Sequence, residues 1–238
     1  MAERLDKIVA QGGLVTRKEA KERIKSGRVT VGGQVCREAQ THVADGQEVA
    51  LDGVALVGGP VLLMMNKPAG VLTASRDGRD RTYRDLLPEQ YARLPLSAAG
   101  RLDKDAEGLL LLTNDGELVH RLISPRRQVE KLYAVRLDSP AQPEDVDAFA
   151  MGLDLGDFTA LPARLTILPG DGTACEVVVF EGKFHQVKRM FQARGKKVIS
   201  LKRLKIGTLK LDNSLKIGEI RPLSAQERED LYRLTDLF

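Results

Sequence analysis

Three carboxylates, Asp103, Asp105 and Glu107, fall within five positions, directly ahead of four consecutive leucines at 109–112. An ionised carboxylate held against a substrate can take a proton as a general base or add covalently as a nucleophile. The leucine run does not alternate, as expected of a strand buried on both faces. Gly108 ahead of it permits a bend or a close backbone approach. The acids then sit in the loop feeding that strand, at a sheet rim, where rigid scaffolds commonly present reactive groups. Spacing alone leaves two readings open: three solvated loop acids, or one reactive group among them.

Other chemistries are excluded by what is missing. There is no G-x-x-x-x-G-K-[ST] loop, no G-x-G-x-x-G turn and no G-x-S-x-G elbow. His42, His120 and His185 are scattered, and Cys36 and Cys175 are far apart, so no metal-ligand spacing occurs. An enzyme with this sequence is expected to use no metal, nucleotide or other cofactor, and to work through carboxylates, lysines, arginines and tyrosines. A glycoside-hydrolase pair is not expected, because Asp103 and Asp105 lie two apart in one loop without a second acid from another element.

The chain has 238 residues, of which 42% are hydrophobic, enough for a packed core. Aromatics are 4% and Trp is absent, which argues against broad stacking platforms. The net charge of +4 is unevenly spread: residues 1–31 carry +4, residues 181–205 carry +8, and the remainder is −8. Two basic patches on an acidic body point to a polyanion partner. Sparse cysteine predicts a reduced, intracellular setting. No charged-then-apolar leader opens the chain, and no apolar run approaches the ~20 residues that span a bilayer. A cytoplasmic, monomeric protein without membrane contact is expected.

Two domains are expected, at 1–57 and 58–238. In the first, Leu5, Ile8 and Val9 have helical spacing. Thr16 and Glu19 form a capping box for a helix reaching about residue 26, with Gly27 as its left-handed stop. Arg17, Lys21, Lys25 and Arg28 share one stripe, where their mutual repulsion would be relieved by a phosphate backbone. Strands are expected at 28–31, 34–36 and 48–51, and a glycine-rich linker at 54–60. In the second, strands are expected at 61–65, 109–113, 131–137, 163–167, 176–180, 198–201, 204–206 and 220–222. Helices are expected at 115–123, 143–151 and 185–194, and a polar loop at 73–84. Strands outnumber helices and most neighbours are antiparallel candidates, so the fold class is α+β, a mixed, mostly antiparallel sheet flanked by helices.

Several runs carry a resemblance. Arg4 to Lys7, Thr16 to Ala20 and Lys25 to Gly33 resemble the S4 RNA-binding domain. Gly100-Arg101-Leu102-Asp103, four residues, then Gly108 to Gly116 resemble the signature of the RsuA/RluB/RluE/RluF family of pseudouridine synthases. Met65 to Gly70, Lys131-Leu132-Tyr133, Glu181 to Phe191 and Arg203 to Gly207 resemble that family's other motifs, in its order. Within the family, the run from Phe184 to Phe191 is nearest the RsuA branch.

The resemblance implies an enzyme that isomerises one uridine of ribosomal RNA to pseudouridine, with 16S small-subunit rRNA in an assembly intermediate as partner. The alternatives are a 23S synthase of the RluB or RluF type and a non-catalytic rRNA-binding assembly factor. By the same resemblance Asp103 is the catalytic acid, Lys188 its cationic partner, and Tyr133 the ring that packs on the flipped base and moves the C5 proton. A carboxylate in a partly dry pocket tends to neutralise, and a fixed cation beside it preserves its charge. Arg101 fills the gap left by the base or holds a phosphate. His185, Gln186 and Arg189 are expected to touch RNA, as are Arg17, Lys18, Lys21, Lys25 and Arg28 in the first domain. Asn66 and Lys67 are expected to shape a turn, Leu201 to line the pocket, and Asp105 and Glu107 to be solvated.

Overall fold

The structure, a computed structural model, describes residues 3–12, 15–44, 46–56 and 59–237. The expected domain boundary, between 57 and 58, lies outside the described residues. The chain divides into two compact units, one built mainly from residues up to 61 and the other mainly from 62 onward.

In the first unit the helix Arg17–Lys25 begins where the capping box places it. Glu19 N donates to Thr16 Oγ1 at 3.3 Å, and Thr16 N donates to Glu19 Oε2 at 2.7 Å. Ala20 and Ile24 are its buried stripe, packed with Leu5, Ile8 and Val9 of the helix Leu5–Gln11 and with Val29 and Leu51. Arg17, Lys18, Lys21, Lys25 and Arg28 are all exposed. The strands run Gln34–Cys36, Val29–Val31, Val49–Leu51, Val54–Ala55, each antiparallel to its neighbour. The last of these corrects the linker expected from 54. Asp52 and Gly53 adopt φ of 53° and 78°, a tight turn that returns the chain onto Val49–Leu51 before it leaves.

In the second unit the strand order is Arg164–Ile167, Ala174–Val179, Lys131–Leu137, Val198–Ile206, Glu107–Thr113, Leu62–Lys67, Ile220–Pro222. Lys131–Leu137 lies antiparallel to both of its neighbours. Val198–Ile206 runs parallel to Glu107–Thr113, which makes the sheet mixed. All four leucines at 109–112 are fully buried, and Leu109 and Leu111 pack with Leu62, Met64, Leu118 and Leu231. A separate cluster holds Tyr133, Val135, Val177, Phe149, Phe191 and Leu201.

Three expectations need correcting here. Strands 198–201 and 204–206 are one continuous strand, because Lys202 and Arg203, which interrupt the apolar pattern, pair with Glu107 and Gly108. The helix Gln186–Ala193 starts after His185, whose left-handed φ of 50° keeps it outside. The helix Ala225–Leu234 was not anticipated, although Ser224 and Glu227 form a capping box that marks its start. Among the described residues no helix is long and apolar enough to cross a membrane.

Candidate active site

Asp103 and Asp105 occupy a loop whose backbone is fastened at nearly every residue, and Glu107 opens the strand that follows it. Arg203 Nη1 donates to Arg101 O at 3.4 Å and its Nε to Leu109 O at 2.8 Å. Thr73 Oγ1 donates to Leu102 O at 2.9 Å and accepts from Leu102 N at 3.1 Å. Gly70 N donates to Lys104 O at 2.7 Å, Ala106 N to Asp103 O at 3.2 Å, and Lys67 Nζ to Ala106 O at 2.8 Å. The loop is thus tied through its peptide groups, and the Asp103 side chain is left for other work. Thr73 lies in the stretch read only as a polar loop; nothing in its spacing marks it as a clamp.

Asp103 is half-buried and meets the second basic patch. Lys188 Nζ is 3.0 Å from Asp103 Oδ2 and 2.5 Å from Asp105 Oδ1, and His185 Nε2 is 3.5 Å from Asp103 Oδ1. One ammonium therefore serves two carboxylates: Asp105 is exposed to solvent, as expected, and is also ion-paired. Its hydrogen bond to Lys188 outweighs its partial desolvation and holds its carboxyl below the ordinary value. For Lys188, burial pulls the pKa down, but hydrogen bonds to Asp105 and Asp103 more than offset it, and the ammonium is held above its ordinary value.

The acid faces a cleft of about 690 Å³ whose walls include Arg101, Lys131, Tyr133, His185, Leu201 and Arg203. Tyr133 comes from the strand between the two antiparallel partners and is 8% exposed. Gln186 also lines the cleft, but its amide is spent within the protein. Its Nε2 donates to Glu181 Oε1 at 2.8 Å and its Oε1 accepts from Lys183 N at 3.1 Å. Arg189 is likewise occupied, bound to Asp157 and to Leu155 O, with its guanidinium 4.9 Å above the Phe158 ring. Both are expected at RNA; within the protein both brace the turn and helix that carry His185 and Lys188.

The profile of the RNA pseudouridylate synthase family matches residues 61–193, and that of the S4 domain matches residues 3–49. This chain belongs to the RNA pseudouridylate synthase family. An uncharacterised RNA pseudouridine synthase of Bacillus subtilis is 43% identical over 229 residues, covering 94% of this chain and 96% of that protein. Ribosomal small subunit pseudouridine synthase A of Escherichia coli K12 is 41% identical over 228 residues, covering 94% and 97%. A crystal structure of a pseudouridylate synthase superposes with a TM-score of 0.69 at 36% identity, covering 96% of this chain and 99% of that one.

The synthase also buries cations at and near the cleft. Lys131 is 6% exposed and donates to Val129 O at 3.0 Å. Burial, with Arg203 adding to it and Glu181 opposing, lowers its pKa from 10.5 to about 8. Lys67 is lowered to about 8 as well, by burial that Asp105, Glu107 and Asp103 only partly offset. Arg203 is 1% exposed, and its Nη2 has no hydrogen-bond partner among the described residues.

For Lys131 the sign of the pH effect follows from linkage. Below pH about 8 both the folded and unfolded chains hold the proton, and the burial penalty is in force. Between about 8 and 10.5 only the unfolded chain holds it, so this group's contribution to stability rises with pH, by at most about 1.4 kcal/mol per unit. Lys131→Met should therefore lose ground against the wild type between pH 8 and 10 in urea unfolding. A stability difference that does not change with pH would contradict the assignment.

Proposed function

We propose that this synthase is of the RsuA type, that it isomerises one uridine of 16S rRNA within a small-subunit assembly intermediate, and that Asp103 is its catalytic residue. The observation that carries the reading is the Asp103 carboxylate, 3.0 Å from the Lys188 ammonium, in a cleft that Tyr133 also lines. The target nucleotide leaves its stack, at a cost of a few kcal/mol. As the bond from N1 to C1′ breaks, Asp103 takes the C2′ proton, leaving a glycal on the RNA and a uracil anion. The base turns, C5 joins C1′, and the proton returns to C2′. The C5 proton then leaves and N1 gains one, so that the product is an isomer of the substrate.

Tyr133 packs on the base, and its hydroxyl relays the C5 proton, accepting it as it gives its own to solvent. The buried charges of Lys131 and Arg203 favour the detached, negatively charged base. Arg101, exposed at the cleft, fills the gap left by the base or holds a phosphate. We assign the S4 unit to 1–57 and the catalytic domain to 58–238, and propose a cytoplasmic monomer.

The S4 stripe supplies affinity through phosphates. Lys21→Ala with Lys25→Ala should weaken RNA binding and flatten its log–log salt dependence by about 0.9 per lost contact on a duplex. An unchanged slope would remove the stripe from the interface. The target is tested by deleting the gene and mapping pseudouridine in both large rRNAs. Loss at one 16S uridine is expected; loss in 23S rRNA, or at no position, would overturn the assignment.

A further inference from the structure

We propose that Phe184, stacked on His185, is the ring on which an unpaired RNA base next to the flipped uridine stacks. This rests on the reading of the Asp103 cleft as the site of uridine isomerisation. Phe149 and Phe191 are fully buried, whereas Phe184 is 74% exposed, the one aromatic among the large hydrophobics left in water in the described residues. It stands on the wall of the Asp103 cleft. Its ring lies nearly parallel to that of His185, with centroids 3.8 Å apart and planes 19° apart. His185 is held in a left-handed backbone conformation, φ 50°, that non-glycine residues rarely adopt.

The turn thus spends backbone strain to point one ring at Asp103, 3.5 Å away, and to hold the second ring stacked outside it. Extruding a nucleotide leaves its neighbour without a stacking partner. An exposed ring beside the reactive carboxylate supplies one, and any base can use it because every base has a π-face. Lys183 and Arg101, both exposed, line the same cleft and suit the adjoining phosphates. Phe184 therefore contributes affinity and fixes the RNA beside the target, without choosing sequence.

The test uses the full-length protein and 16S rRNA from a strain lacking the gene, both as naked RNA and as small-subunit particles. Affinity is measured across salt for the wild type, Phe184→Ala, Phe184→Leu and Phe184→Tyr. The alanine and leucine variants should bind about tenfold or more weakly, the range base–aromatic stacking supplies, with salt plots parallel to that of the wild type. The tyrosine variant should bind within about threefold of the wild type. Binding by Phe184→Ala within twofold of the wild type, wild-type binding by Phe184→Leu, or a flattened salt slope would each overturn the proposal. Absence of turnover by the wild type on both forms would overturn the 16S reading instead, while the affinity comparison still decides the role of Phe184.

Discussion

Replacing Asp103 with asparagine should slow pseudouridine formation by about 10³-fold or more, within the range lost when a positioned general base is removed, and leave the melting temperature unchanged. Asparagine keeps the shape but carries no negative charge, so it can neither take the C2′ proton nor add to the sugar. The fold should not register the change, because the loop is anchored through the peptide groups of Arg101, Leu102, Asp103, Lys104 and Ala106. Nor does it strand a buried charge, since Lys188 retains Asp105 at 2.5 Å. A single-turnover assay beside a thermal melt separates the two quantities. Wild-type turnover by the asparagine variant would place the chemistry on another residue; no turnover by the wild type itself would favour a non-catalytic rRNA-binding factor.

Gly108→Ala should cost about 3–5 kcal/mol, combining left-handed strain with overpacking against backbone. Gly108 has a φ of +100°, and a Cβ there would lie 2.3 Å from Arg203 O and 2.9 Å from Arg203 N. These are main-chain atoms of Val198–Ile206, at the register where it runs parallel to Glu107–Thr113. Relief requires that the two strands separate, which also withdraws Arg203 from Arg101 O and Leu109 O. Against a total stability of about 5–15 kcal/mol, much of the protein should lose its fold on modest heating. Chemical denaturation measures this; a loss under about 1 kcal/mol would show that the close approach at Gly108 is not needed.

Much of this was legible in the residues. The leucine run announced a doubly buried strand, Gly108 a close approach, and Thr16 with Glu19 a helix start, because each signal is local: a period, a missing Cβ, a cap. What stayed hidden depends on the partner a side chain finds. Lys202 and Arg203 read as a break because charge in a strand ordinarily faces water, yet Arg203 is buried against carbonyls of a loop and its following strand about a hundred positions away in sequence. The intramolecular partners of Gln186 and Arg189, Glu181 and Asp157, were not legible, because they lie on other parts of the chain. Asp105 is exposed as expected, but its ion-pair partner was hidden because it comes from the helix at 186–193.

Because Asp103 and Asp105 share one ammonium, the decisive measurement is tritium release from C5 of uridine in the rRNA substrate by the wild type, Asp103→Asn and Asp105→Asn side by side. Release should all but vanish with Asp103→Asn and persist within about tenfold of the wild type with Asp105→Asn. Wild-type release by Asp103→Asn, or an equal collapse with Asp105→Asn, would contradict the assignment of the reaction to the carboxylate at position 103.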